Sequence, residues 1–188
     1  MAYTTIKKPS DYFNTKLYTG NGANNRALVN DGNSDLQPDW IWFKERNSTS
    51  THQWLDSSRG VNKALSSPDD GAEETYAYLS SFDSDGFSLG GQDNVNADTI
   101  TMASWSWKAG TSFSNSAGAN GADLASVGSY NRDAGFSIVT WTGNATDDQQ
   151  IYHGLNSVPQ MMLVKNRTNS NNESWKVYHQ AIGNTHAL

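Results

Sequence analysis

Oxygen-bearing side chains crowd one stretch of the sequence: Asp83, Asp85, Asp93, Asn94, Asn96 and Asp98. Carboxylate and amide oxygens gathered in loops are the ligand set calcium takes, so Asp83, Asp85, Asp93 and Asp98 are candidate cation ligands. The stretch lacks the spacing and closing glutamate of an EF-hand, and turns rich in Asp and Asn commonly form without metal. The histidines His52, His153, His179 and His186 are dispersed, with no carboxylate at metal-ligand spacing. Glu73 and Glu74 are adjacent, so from a strand they cannot both face one cleft and work a glycosidic bond between them. A serine nucleophile elbow, a phosphate-binding glycine loop and a dinucleotide fingerprint are all missing. Cysteine is absent, which removes thiolate nucleophiles, disulfides and Cys-based zinc sites together. Arg59 and Asp56 are expected to form a surface ion pair worth roughly 0–1 kcal/mol. The remaining chemistry is aromatic. Indole faces cover the apolar faces of sugars, and of the 7 tryptophans Trp54 and Trp107 are the candidates for that role. These residues point to binding rather than catalysis.

The elements that must position them read as strands. Apolar segments are short and β-branched or aromatic, separated by Asn, Ser, Thr and Gly, so the chain is expected to be all-β. Trp40 to Lys44 carries large apolar groups on both faces, as a strand covered on both sides does. Gln53 to Leu55 reads as another short strand, and Ser81 to Gly90 as strand, turn, strand with Asp85-Gly86 at the turn. Thr99 to Lys108 alternates: Thr101, Ala103, Trp105 and Trp107 on one face, Ile100, Met102, Ser104 and Ser106 on the other. That tryptophan face is either core or a stacking platform. A helical turn or two is expected only around Gly71 to Leu79.

The sequence also repeats itself. Gln37-Pro38-Asp39-Trp40-Ile41-Trp42-Phe43-Lys44-Glu45-Arg46 is matched by Val158-Pro159-Gln160-Met161-Met162-Leu163-Val164-Lys165-Asn166-Arg167, 121 residues on. Phe13 to Gly20 aligns with Phe136 to Gly143 at an offset of 123, and Trp54 with Trp175 at 121. Matched blocks in one order indicate an internal duplication with a unit of about 123 residues. The expected organisation is a leader over 1–15, a first repeat over 16–108, a Gly/Ala/Ser/Asn-rich connection over 109–134, and the first half of a second repeat over 135–188. Half a repeat leaves its core open, so completion is expected either from further along a longer protein or from another chain.

Bulk properties exclude some partners. With 13 Lys and Arg against 19 Asp and Glu, a net charge of −6 offers no basic footprint for nucleic acid. The N-terminus lacks the apolar run of a signal peptide and no segment approaches membrane-spanning length, so neither cleaved export nor membrane insertion is expected.

Tyr18 to Gly22, Gln37 to Lys44, Asp56 to Gly60, Phe82 to Gly90 (Phe-Asp-Ser-Asp-Gly-Phe-Ser-Leu-Gly), Trp105 to Gly110 and Ala134 to Asn144 together resemble a domain that recurs, often in tandem, in virion proteins of marine and freshwater tailed phages. Those proteins are commonly labelled tail fibres or structural proteins. The resemblance implies a concanavalin- or laminin-G-like antiparallel β-sandwich of jelly-roll type, with no catalytic set and no required cofactor. It implies a virion location on the tail, a homotrimer, and other virion proteins (tail adaptor, nozzle or collar) as partners. Under that reading the leader is a docking arm with Tyr3, Ile6, Tyr12 and Phe13 as its apolar contacts; the plainer reading is a poorly ordered terminus. The rival functions are a lectin-like module for host-surface glycan, a capsid decoration protein and, weakest, a polysaccharide-cleaving enzyme.

Overall fold

The computed structural model describes residues 6–168 and 173–183. In chain order the strands are β1 (Phe13–Thr19), β2 (Arg26–Leu28), β3 (Trp40–Glu45), β4 (Gln53–Asp56), β5 (Lys63–Ser66), β6 (Glu74–Thr75), β7 (Leu79–Asp83), β8 (Gly86–Leu89), β9 (Thr101–Trp107), β10 (Thr111–Asn115), β11 (Ser126–Asn131), β12 (Phe136–Trp141), β13 (Met161–Val164) and β14 (Lys176–His179). One helical turn, α1 (Asp93–Asn96), precedes β9. The protein is an all-β sandwich of antiparallel sheets.

The first repeat builds that sandwich from a six-stranded sheet, β1-β9-β3-β4-β5-β6, and a three-stranded sheet, β2-β8-β7. Alternation along each strand decides which side chains meet between them. Tyr18, Ile41, Phe43, Leu55, Ala64 and Met102 come from the larger sheet and meet Leu28, Leu79, Phe87 and Leu89 of the smaller one. Phe43 stands edge-on to Phe87 with ring centroids 5.4 Å apart. Across from Ile41 and Phe43, β9 supplies Ser106 and Ser104, 2% and 0% exposed, whose small side chains leave room for the larger neighbours. Burial of each large apolar side chain here contributes roughly 1.5–3 kcal/mol. The Tyr18 hydroxyl donates to the Val95 carbonyl at 2.6 Å, tying α1 to the core. Burial holds that phenol far above its ordinary pKa.

Three sequence expectations change here. The leader is expected to end at Thr15, but β1 starts at Phe13 and pairs Phe13 with Trp107. Ahead of it, Pro9–Asp11 forms a 3-10 turn and Lys8 Nζ donates to the Asn33 carbonyl at 2.6 Å, so residues 8–15 belong to the sandwich. The connection expected over 109–134 instead carries β10 and β11, which join β12 in a three-stranded sheet. Its small residues serve close packing: a Cβ at Gly128 would collide with the Ile138 carbonyl and meet the Phe113 ring. The helical turn expected near Gly71 to Leu79 is absent, and β6 pairs there with β5.

The second repeat reproduces the first as far as it goes. β12 stands where β1 stands, and the β13–β14 hairpin copies β3–β4. Trp40 pairs with Asp56 and Trp42 with Trp54 in one; Met161 pairs with His179 and Leu163 with Val177 in the other. Pro38 and Pro159 each precede their strand by two residues, where a missing N–H costs the ladder nothing.

Candidate functional site: a tryptophan-lined sheet face

Residues that alternate into the core on β3, β4 and β9 leave their neighbours on the opposite face, and those neighbours are aromatic. Register sets them in two rows. Phe13, Trp107 and Trp40 lie side by side across β1, β9 and β3; Trp105, Trp42 and Trp54 do so across β9, β3 and β4. Trp40 and Trp107 stack at 4.4 Å between centroids, 28° from parallel. Trp54 meets Trp40 edge-on at 5.0 Å and Trp42 at 5.4 Å. Trp105 tilts against Trp42 at 5.6 Å. Offset and edge-to-face contacts of this kind contribute roughly 0.5–1.5 kcal/mol per pair beyond area.

The second repeat covers part of this face. Phe136, the first residue of β12, lies over Trp40 at 5.8 Å and Trp107 at 6.4 Å. Trp175, just ahead of β14, stands over Trp54 at 4.5 Å and donates its indole N–H to the Ser66 carbonyl at 3.1 Å. The consequence for the two tryptophan candidates differs. Trp54 is 9% exposed and its own indole N–H is buried without an acceptor, so it is part of the packing between repeats and cannot serve as a sugar platform as it stands. Trp107 stays half-buried, as do Trp40, Trp42 and Trp105, and these four form the accessible aromatic surface. The sequence signal for Trp40 and Trp42 was present in the two-sided apolar strand; what spacing could not supply was which rings sit together.

His52 borders the face. Its Nδ1 accepts from the Trp42 indole at 3.0 Å, and burial, then the nearby Lys44 charge, lowers its pKa below the ordinary histidine value. The imidazole is therefore held neutral.

A family model described as a domain of unknown function, DUF7483, matches residues 8–188. The chain belongs to this family. No curated protein and no solved structure matches it. The matched DUF7483 span includes both repeats, and it starts at Lys8, where the ordered contacts with Asn33 begin.

Beneath the aromatic face, the DUF7483 chain holds a charge cluster that the sequence reading placed on the surface. Arg59 is inside: its side chain is 4% exposed, with Asp56 at 6% and Glu73 at 12%. Arg59 Nε bonds Asp56, Nη1 bonds Glu73 at 3.1 Å, and Nη2 donates to the Trp54 carbonyl at 3.0 Å. Arg167 of the second repeat reaches the same Glu73 carboxylate at 3.3 Å, and the Glu73 N–H donates to the Arg167 carbonyl at 2.9 Å. Lys165 Nζ donates to the Asp70 carbonyl at 3.0 Å. The repeated Lys-x-Arg motif thus clamps the second hairpin onto the first sandwich.

The acidic residues proposed for calcium do not form a site together. Asp83 accepts from the hydroxyls of Ser81 and Ser88, and Asp85 Oδ1 accepts from the Leu36 N–H at 3.2 Å. Asp93 opens α1 and Asp98 sits in the turn after it. Among the described residues, no three His or acidic side chains converge on a metal position. A cleft of about 480 Å³ lies beside Asp39, Ser57, Ser84 and Lys108. Its one buried carboxylate is already satisfied: Asp39 Oδ2 accepts from the Ala109 and Gly110 amides at 2.9 and 2.6 Å, and Oδ1 from the Ser57 hydroxyl at 2.7 Å. Asp39 therefore anchors the exit from β9.

Of the residues proposed for docking, Tyr3 lies outside the described residues. Ile6 and Tyr12 are half-buried, and the Tyr12 carbonyl accepts from the Lys108 N–H at 2.9 Å. Phe13 packs on Trp107 at 5.0 Å while remaining 38% exposed.

Proposed function

We propose that this chain is a structural binding module of a tailed-phage virion, the tail-attachment part of a fibre or related appendage with a concanavalin- or laminin-G-like sandwich. The observation that carries the reading is β1. It is the outer strand of the six-stranded sheet, with one edge unpaired, and it displays Phe13 and Leu17, 38% and 57% exposed, at that edge. An edge strand with apolar side chains can extend a neighbour's sheet: main-chain hydrogen bonds hold it and aromatic anchors supply most of the interface energy. The partner is another virion protein of the tail, and threefold assembly is part of the same proposal. Immunogold microscopy of purified virions with an antibody against residues 1–188 tests it. Label at the collar or fibre base is expected; label on the head would assign capsid decoration instead.

The half-exposed Trp40, Trp42, Trp105 and Trp107 favour a second reading, a lectin-like module that binds host-surface glycan by stacking sugar faces on indoles. Trp107→Ala separates the two. Glycan-array binding by the wild type that the variant loses while its fold survives would support the lectin; no glycan binding by the wild type leaves the edge-strand reading standing.

A further inference from the structure

In the first repeat β9 lies between β1 and β3 and pairs with both. Their equivalents, β12 and β13, share no strand among the described residues: β12 ends one sheet, and β13 pairs with β14 alone. The backbone directions at β13 are fixed by one hydrogen bond. The Gln180 N–H donates to the Gln160 carbonyl at 2.8 Å, so the even-numbered residues of β13 bond β14, and Met161 and Leu163 turn their N–H and C=O groups to the free edge. The first repeat has the same arrangement at the same place. Ser57 N–H donates to the Asp39 carbonyl at 2.8 Å, assigning odd residues of β3 to β4, and Arg46 N–H donates to the Thr101 carbonyl at 2.7 Å, assigning even ones to β9. Met161 and Leu163 are the counterparts of Trp40 and Trp42, the residues that β9 bonds.

We propose that the free edge of β13 is an acceptor for an added antiparallel strand of β9 type, one in which aromatic residues alternate with small ones. Exposure marks the vacancy in the pattern. Ile41 and Phe43 are fully buried, whereas Met161, Met162 and Leu163 are 53%, 42% and 39% exposed. The required alternation follows from the first repeat. Trp105 and Trp107 lie against Trp42 and Trp40, while Ser104 and Ser106 stand opposite Phe43 and Ile41 and leave them room. On β13 an added strand of that pattern lays its aromatic rings on Met161 and Leu163 and its small residues opposite Met162 and Val164. An unpaired edge bearing consecutive apolar residues is an association hazard unless something covers it. The inference concerns the second repeat's own edge and does not depend on the virion reading.

The test uses the isotope-labelled full chain and a synthetic peptide with the sequence of Ile100 to Ala109, followed by NMR. Saturable one-to-one binding is expected, with shift changes and new amide protection centred on Met161 and Leu163. Methylating the peptide nitrogens of its Ala103 and Trp105 equivalents, which bond β3 in the first repeat, is expected to weaken binding at least tenfold while leaving the protein unaltered. No saturable binding, binding that survives methylation, or protection at β1 and β3 instead would overturn the proposal. So would a concentration-dependent dimer that protects Met161 and Leu163 without peptide, since a second copy would then be the occupant.

Discussion

Arg59 is the residue on which most of the buried charge depends. Asp56 and Glu73 are both withdrawn from water and both lean on its guanidinium, so Arg59→Ala leaves two buried carboxylates without their cation. Breaking a buried pair by removing one partner costs about 3–5 kcal/mol. Urea denaturation should show a loss of that size, with a much smaller one for Lys16→Ala, whose ion pair with the exposed Asp31 lies at the surface. His52 makes a pH prediction. Because its folded pKa lies below the unfolded value, the unfolded chain binds more protons in the window between them. Its contribution to stability is complete above about pH 6.5 and declines as pH falls from there toward the folded pKa. His52→Gln retains an acceptor for the Trp42 indole and removes the titration, so the fall in melting temperature between neutral and mildly acid pH should be shallower in the variant. At this scale the sequence was half legible. The spacing of Asp56 and Arg59 revealed the pair; its burial depends on Glu73 and Arg167, which only the folded chain brings there.

Among the elements, the β7–β8 hairpin was the clearest in the sequence, because Ser84-Asp85-Gly86 between apolar alternations specifies a tight reversal. The structure places Gly86 just past the turn at φ +102, where a Cβ would also collide with the Leu28 carbonyl. Gly86→Ala therefore strains the backbone and pushes β2 from β8; a destabilisation of about 1–3 kcal/mol is expected from the conformation alone, read as a lower denaturation midpoint. β10 and β11 were illegible for a physical reason. Strands made of Ser and Gly hold together through backbone pairing and covering rings, here Phe113, Tyr130 and Tyr152, and side-chain composition alone reads them as loop. β1 was clipped at its start for a related reason: Phe13 and Asn14 follow a proline-bearing turn, and only the pairing to β9 shows them to be strand.

For the whole molecule, the question is how firmly the second repeat is held. Its contacts with the first are few and specific: Trp175 on Trp54, Arg167 on Glu73, Lys165 on Asp70 and Phe136 on Trp40. Trp175→Ala should release the β13–β14 hairpin while leaving the first sandwich folded, at a cost of about 2 kcal/mol for the lost burial. Hydrogen exchange should speed up at Met161 to Val164 and remain slow at Ile41 and Phe43. Uniform acceleration across both repeats would mean that they unfold as one unit. The duplication itself was readable in the sequence, down to the prolines; the docking of one copy on the other was not, since it joins residues about a hundred positions apart.

The closely stacked indoles of Trp40 and Trp107 have an optical consequence. Transition dipoles this near to one another couple, so the far-ultraviolet circular dichroism of the chain should carry an exciton couplet superimposed on the backbone signal. Strand content fitted from such a spectrum will be distorted, and the couplet itself becomes a label-free gauge of whether this face is intact, occupied or pulled apart.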